Sequence, residues 1–130
     1  MIAVDTNVLV RFLVQDDPTQ GTAATRLFQE AEERGERVWI SLVVLIETVW
    51  VLGRLYGITG EKSLKVVRDL LETPILLLED EVKVAQALEL ARTHRHELPD
   101  CLIALSRGGD TPTWTFDRKA SRIPGFRLLR

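Results

Sequence analysis

Short apolar runs alternate along this chain with longer amphipathic segments, and that alternation constrains the fold more than any other feature. Ile75 to Leu78 follows Pro74 without a polar break, the pattern of a strand buried on both faces. Ile2-Ala3-Val4, Val38 to Ile40 and Thr113-Trp114-Thr115-Phe116 read as further strands. Between them lie helical signals. Asp17-Pro18 has the cap-then-proline form of a helix start, and apolar residues recur at Ala23, Ala24, Leu27, Phe28 and Ala31 before Gly35 stops the pattern. Ser41 caps a helix that ends near Gly57, and Thr59 or Gly60 opens another running to about Glu72. Asp80 caps a helix with Val84, Ala87, Leu88 and Ala91 on one side. The spacing then predicts a helix from Cys101 to Arg107, the strand before Asp117, a turn of helix and an edge strand from Phe126 to Leu129. Strands separated by helices predict a three-layer α/β/α domain with a central, mainly parallel sheet of four to five strands.

A chain of 130 residues, 45% hydrophobic, is expected to form one domain over residues 1–130. Its charge is skewed: from Arg107 to the carboxyl terminus six Lys or Arg face two acids, a basic surface suited to an anion. The single cysteine, Cys101, excludes an internal disulfide and fits a reducing compartment. The longest apolar stretch, Val38 to Leu52, contains Ser41, Glu47 and Thr48 and is too short to span a bilayer, and no leader pattern is visible. A soluble, cytoplasmic protein is expected, with no membrane partner.

Four carboxylates stand at one predicted edge. Asp5 and Asp117 close strands, whereas Glu47 and Asp100 sit early in helices. A helix joined to a parallel strand runs antiparallel to it, so helix amino termini lie beside strand carboxyl termini, where open α/β sheets bind ligands. Such a cluster suits a divalent metal. Each acid also has a local explanation. Asp5, Asp100 and Asp117 could be helix caps. Glu47, with Val43, Val44, Trp50 and Val51 at helical spacing, would point into apolar surroundings and need a partner such as Arg54 or Arg11.

The opening Val4-Asp5-Thr6-Asn7-Val8-Leu9-Val10-Arg11, Glu47 within an apolar helix, Asp100-Cys101-Leu102-Ile103-Ala104 and Thr115-Phe116-Asp117 together resemble the PIN domain, and in particular the VapC toxins. Order and spacing match over essentially the whole chain. The resemblance implies a ribonuclease requiring Mg²⁺ or Mn²⁺, often encoded beside a VapB-like antitoxin that occupies the active-site groove. Asp5, Glu47, Asp100 and Asp117 fall on the family's acidic positions, and Thr115 on its usual Ser or Thr. Leu105 and Ser106 depart from the small residues that often follow Ile103-Ala104 in the family.

Phosphodiester hydrolysis needs an activated water and neutralised oxygens, and carboxylate-held Mg²⁺ supplies both. Because Mg²⁺ takes one or two direct carboxylates, Asp5 and Asp100 are assigned as ligands, with Glu47 and Asp117 positioning water or holding a second ion. His94 and His96 read as solvent-exposed in a polar loop, and Cys101 as packed. Arg11, Arg118 and Lys119, with Arg107, Arg122 and Arg127, could hold the RNA backbone. The apolar helix Leu42 to Leu52, with Trp39, Trp50, Leu55 and Tyr56, predicts a homodimer. Two rival readings stand beside this one. A haloacid-dehalogenase-like phosphotransferase would carry a second acid where this chain has Asn7, and a non-catalytic PIN-like RNA- or protein-binding module would be expected to lack one or more of the acids.

Overall fold

Side-chain caps decide where the first helices begin. In the computed structural model, which describes residues 1–130, the Asp5 carboxylate accepts from the Val8 N–H at 3.1 Å and starts α1 (Thr6–Val14). Asp17 accepts from the Gln20 N–H at 2.9 Å and starts α2 (Pro18–Glu33), with Pro18 in the first turn, where its missing N–H costs nothing. Ser41 accepts from the Val44 N–H at 3.1 Å and starts α3 (Leu42–Tyr56), which stops at Gly57 in the left-handed region at φ 66°. α4 (Gly60–Glu72) has Thr59 at its cap position but no side-chain cap bond.

The chain divides into two compact units, Met1–Glu81 and Val82–Arg130. In the first, β1 (Ile2–Ala3), β2 (Val38–Ile40) and β3 (Leu76–Leu78) form a parallel sheet in the order β1-β2-β3, with Ile2 beside Val38 and Val38 beside Leu76. Val38, Ile40, Leu76 and Leu78 are buried, as are Leu9 of α1, Leu45 and Leu52 of α3, and Val67 and Leu70 of α4. The Phe12 and Phe28 rings join α1 to α2, their centroids 4.3 Å apart. Truncating a core side chain such as Leu45 to Ala would cost roughly 2–5 kcal/mol, because the surroundings close the cavity only in part. Thr48 is the buried polar exception, and its hydroxyl has no hydrogen-bond partner.

The second unit is built from α5 (Glu81–His94) from its second residue onward, α6 (Leu98–Leu105), β4 (Thr113–Thr115), a 3₁₀ turn at Ala120–Arg122 and β5 (Phe126–Leu128). β4 and β5 pair in parallel, with Trp114 beside Arg127 and Thr115 beside Leu128. Its core is Val84, Ala87 and Ala91 of α5, Leu98, Cys101, Leu102 and Ala104 of α6, and Ala120 and Ile123. Gly125, at φ 96°, leads into β5, and the Arg107 guanidinium lies where a side chain on it would stand.

Several boundaries depart from the sequence reading. The five strands pair only in parallel, but they bond as a set of three and a set of two rather than as one sheet of four to five; each is two or three residues long and offers few ladder groups. α6 begins at Leu98, with Pro99 in its first turn, so Asp100 is inside the helix and is not its cap. Asp80 precedes α5 at φ 55°, outside the extended conformation of an ordinary N-cap. His94 closes α5 instead of lying in a loop, and His96 is half-buried.

Candidate functional site

In the first unit Asp5 and Glu47 line different depressions. Asp5 sits between β1 and α1, exposed, with Oδ1 committed to the cap. It lines a cleft of about 340 Å³ together with Asn7, Val8, Arg11, Gln20 and Ala23. The Arg11 side chain on that wall is held from three sides. It donates to Gln20 Oε1 at 2.8 Å, to Asp16 Oδ1 at 3.0 Å and to the Tyr56 hydroxyl at 3.3 Å. Tyr56 in turn donates to Asp16 Oδ2 at 2.7 Å. The Tyr56 hydrogen bond and the Arg11 charge hold the Asp16 carboxyl below the usual carboxylate range, against the opposing effect of desolvation.

Glu47 occupies the second turn of α3 and faces solvent, not the apolar interior that its neighbours in sequence suggested. Helical geometry explains the difference: Thr48, Leu45 and Leu52 take the buried face, and Glu47 shares the outer face with Trp50, Arg54 and Leu55 around a groove of about 310 Å³. Arg11 is paired with Asp16 rather than with Glu47.

The second unit brings two of the expected acids into mutual range. Asp100, in the first turn of α6, is half-buried, and its carboxyl is raised above the usual range first by burial, then by the charges of Asp117 and Glu97, with His96 opposing. Asp117 is fixed by backbone: Oδ1 accepts from the Lys119 N–H at 2.8 Å and the Ala120 N–H at 3.1 Å. Its own N–H donates to Thr115 Oγ1 at 3.0 Å, which gives the expected hydroxyl a definite task. The cap at Asp117 and a role in the site are therefore compatible, since Oδ2 makes no bond within the protein.

His96 lies in the field of the same group. Burial first, then the charges of His94, Lys119 and Arg122, hold its imidazole below the ordinary histidine value, while Asp100 pulls the other way. Arg118 and Lys119 are exposed beside Asp117. Cys101 is fully buried, and its thiol is pushed up to about 11 by burial and by the neighbouring Asp100 and Glu97 charges, so no thiolate is available. The sequence reading gave Glu97 no role and took His96 as solvent-exposed, whereas His96 is half-buried. Glu97 had a usable signal, standing at the cap position three residues before Asp100 with Pro99 between, which brings both acids to one helix start.

Carboxylate oxygens suit hard divalent cations, and a carboxyl raised by an adjacent acid marks a place where a cation would relieve repulsion. The Asp100–Asp117 donor set fits such an ion. Within neither unit do three or more His, Cys, Asp or Glu side chains gather closely enough to hold a metal by themselves.

A family model described as the PIN domain matches residues 2–125. The chain belongs to the PIN domain family. A similar protein is the "VapC ribonuclease" of Aquifex aeolicus (strain VF5), 26% identical over 131 residues that cover 99% of this chain and 96% of that one. In this PIN domain no helix is long and apolar enough to cross a membrane.

Proposed function

We propose that this PIN domain is a metal-dependent ribonuclease, the toxin of a type II toxin–antitoxin pair. The observation that carries the reading is the half-buried Asp100 carboxyl set against Asp117, in a chain whose relative bears the name of a ribonuclease. Asp100 would hold Mg²⁺ or Mn²⁺ beside Asp117 in the second unit, while Asp5 and Glu47, the other two acids on the family's acidic positions, lie in the first unit. The bound ion supplies an activated water and neutralises charge on the phosphodiester oxygens. Asp117, held in place by two backbone N–H groups and by Thr115, presents Oδ2 to orient water. Arg118 and Lys119 lie beside it in sequence, exposed, to meet phosphate. Arg11 supports the first unit through Asp16 and Tyr56 and reaches the cleft beside Asp5.

The partners follow from the same reading. RNA is the substrate, a VapB-like antitoxin covers the acidic groove, and the outer face of α3 joins two copies, supported by exposed Val43, Trp50 and Leu55. Purified protein with Mn²⁺ should degrade a broad pool of cellular RNA, chelation should stop it, and expression without the antitoxin should arrest growth. Intact RNA at every metal concentration, with cells that tolerate the protein, would favour a binding module instead.

A further inference from the structure

β4 and β5 form a ribbon with two unlike faces. Thr113, Thr115, Phe126 and Leu128 are half-buried on one, whereas Trp114 and Arg127, which pair in register, are exposed on the other. Paired residues of adjacent parallel strands project to the same side about 5 Å apart. Alternation carries Phe116 and Leu129, one step beyond each strand, to the exposed side as well. Trp114 is 56% exposed and Phe116 is 77% exposed, an arrangement that stability alone does not favour. Arg127 is the register partner of Trp114, the exposed Arg118, Lys119, Arg122 and Arg130 lie near these strands in sequence, and Phe116 is bonded directly to Asp117.

We propose that Trp114 and Phe116 are a stacking platform for bases of single-stranded RNA, with Arg127 taking an adjacent phosphate, so that the strand is led to the Asp100–Asp117 pair. This deepens the ribonuclease reading and rests on it for the choice of ligand. An occupant with negative charge and flat apolar faces suits an Arg beside two exposed aromatic rings. A second protein chain meeting this face would have to neutralise the same basic surface. Because every base has a π-face, the platform selects unpaired strands over duplex without reading sequence.

The test uses a fluorescein-labelled single-stranded oligoribonucleotide, its abasic counterpart, and full-length protein carrying Asp100→Asn to prevent cleavage. Trp114→Ala should weaken binding of the base-bearing strand about tenfold, the size of one lost stacking contact, and Trp114→Phe should restore most of it. Phe116→Ser, at a position outside the strand, should also weaken binding without lowering the melting temperature. The abasic strand should bind equally to parent and Trp114→Ala. Arg127→Gln should reduce the slope of log Kd against log salt by about one phosphate contact. Unchanged affinity in both aromatic variants would overturn the platform, as would equal losses on the abasic strand, or a change in oligomer mass with RNA affinity intact. The outcomes separate the two proposals. A parent that cleaves RNA with an unaltered KM in Trp114→Ala loses the platform and keeps the ribonuclease, whereas base-dependent binding without cleavage under any metal loses the ribonuclease and keeps the platform.

Discussion

The Tyr56 hydroxyl donates to Asp16 Oδ2 at 2.7 Å, tying the last turn of α3 to the loop between α1 and α2. Arg11 closes the triangle. Since the Asp16 carboxyl is held below its ordinary value in the folded chain, its contribution to stability is present above about pH 4 and fades as pH falls through the lower folded value. Thermal melts from pH 6 to pH 3 should therefore show a shallower acid decline in Asp16→Asn than in the parent, with Tyr56→Phe intermediate. Parallel curves in all three would remove the linkage.

Asp100 carries the opposite sign. Its carboxyl is raised, so the folded state keeps its proton longer, and the favourable effect present below about pH 4 is lost as pH rises through the raised value. Asp100→Asn should be as stable as the parent, or more so, in metal-free buffer near neutrality. It should gain less melting temperature from added Mg²⁺, because a ligand of the folded state alone stabilises by mass action. Cleavage should fall by more than the roughly tenfold to hundredfold typical of residues that only support a metal ligand. A destabilised variant that still cuts RNA would refute the assignment.

Cys101 should be almost inert to a thiol reagent at pH 8. The side chain is 0% exposed and the thiol is pushed up to about 11. Unfolding in guanidinium should release one reactive thiol per chain, measured as the colour yield of an aromatic disulfide. Rapid labelling of the native protein would contradict the packing of α6.

The outer face of α3 gives the fourth expectation. Trp50 is 58% exposed and Leu55 69% exposed, on the helix that carries Glu47. Trp50→Glu with Leu55→Glu should convert a dimer to a monomer in light scattering while leaving the melting transition cooperative. A parent that is monomeric at micromolar concentration would remove the claim.

Much of this architecture is legible locally. Ser41 and Gly57 mark α3 because a hydroxyl cap and a left-handed glycine are needed wherever a helix begins and ends, and Asp17-Pro18 marks α2 for the same kind of reason. The acids of the second unit are legible as positions, but their coupling is not. Asp100 is raised by burial and by Asp117, seventeen residues away along the chain. His96 is half-buried and sits in the field of Lys119 and Arg122, which no polar-loop pattern around Thr93 to Glu97 could indicate. Glu47 misleads in the other direction. Its apolar neighbours suggest an interior position, yet only one side of α3 is covered, and the rotation of a helix about its axis is set by what packs against it.

Asp5 and Asp117 each hold backbone N–H groups at the start of a helical turn, so a chain that had given up catalysis would still be under pressure to keep both. Their presence reports on folding as much as on chemistry. Glu47 and Asp100 cap nothing, and the raised Asp100 carboxyl is a burden on the metal-free fold. On the proposed reading, substitution at those two positions would remove chemistry and leave every helix start intact, whereas substitution at Asp5 or Asp117 would disturb both.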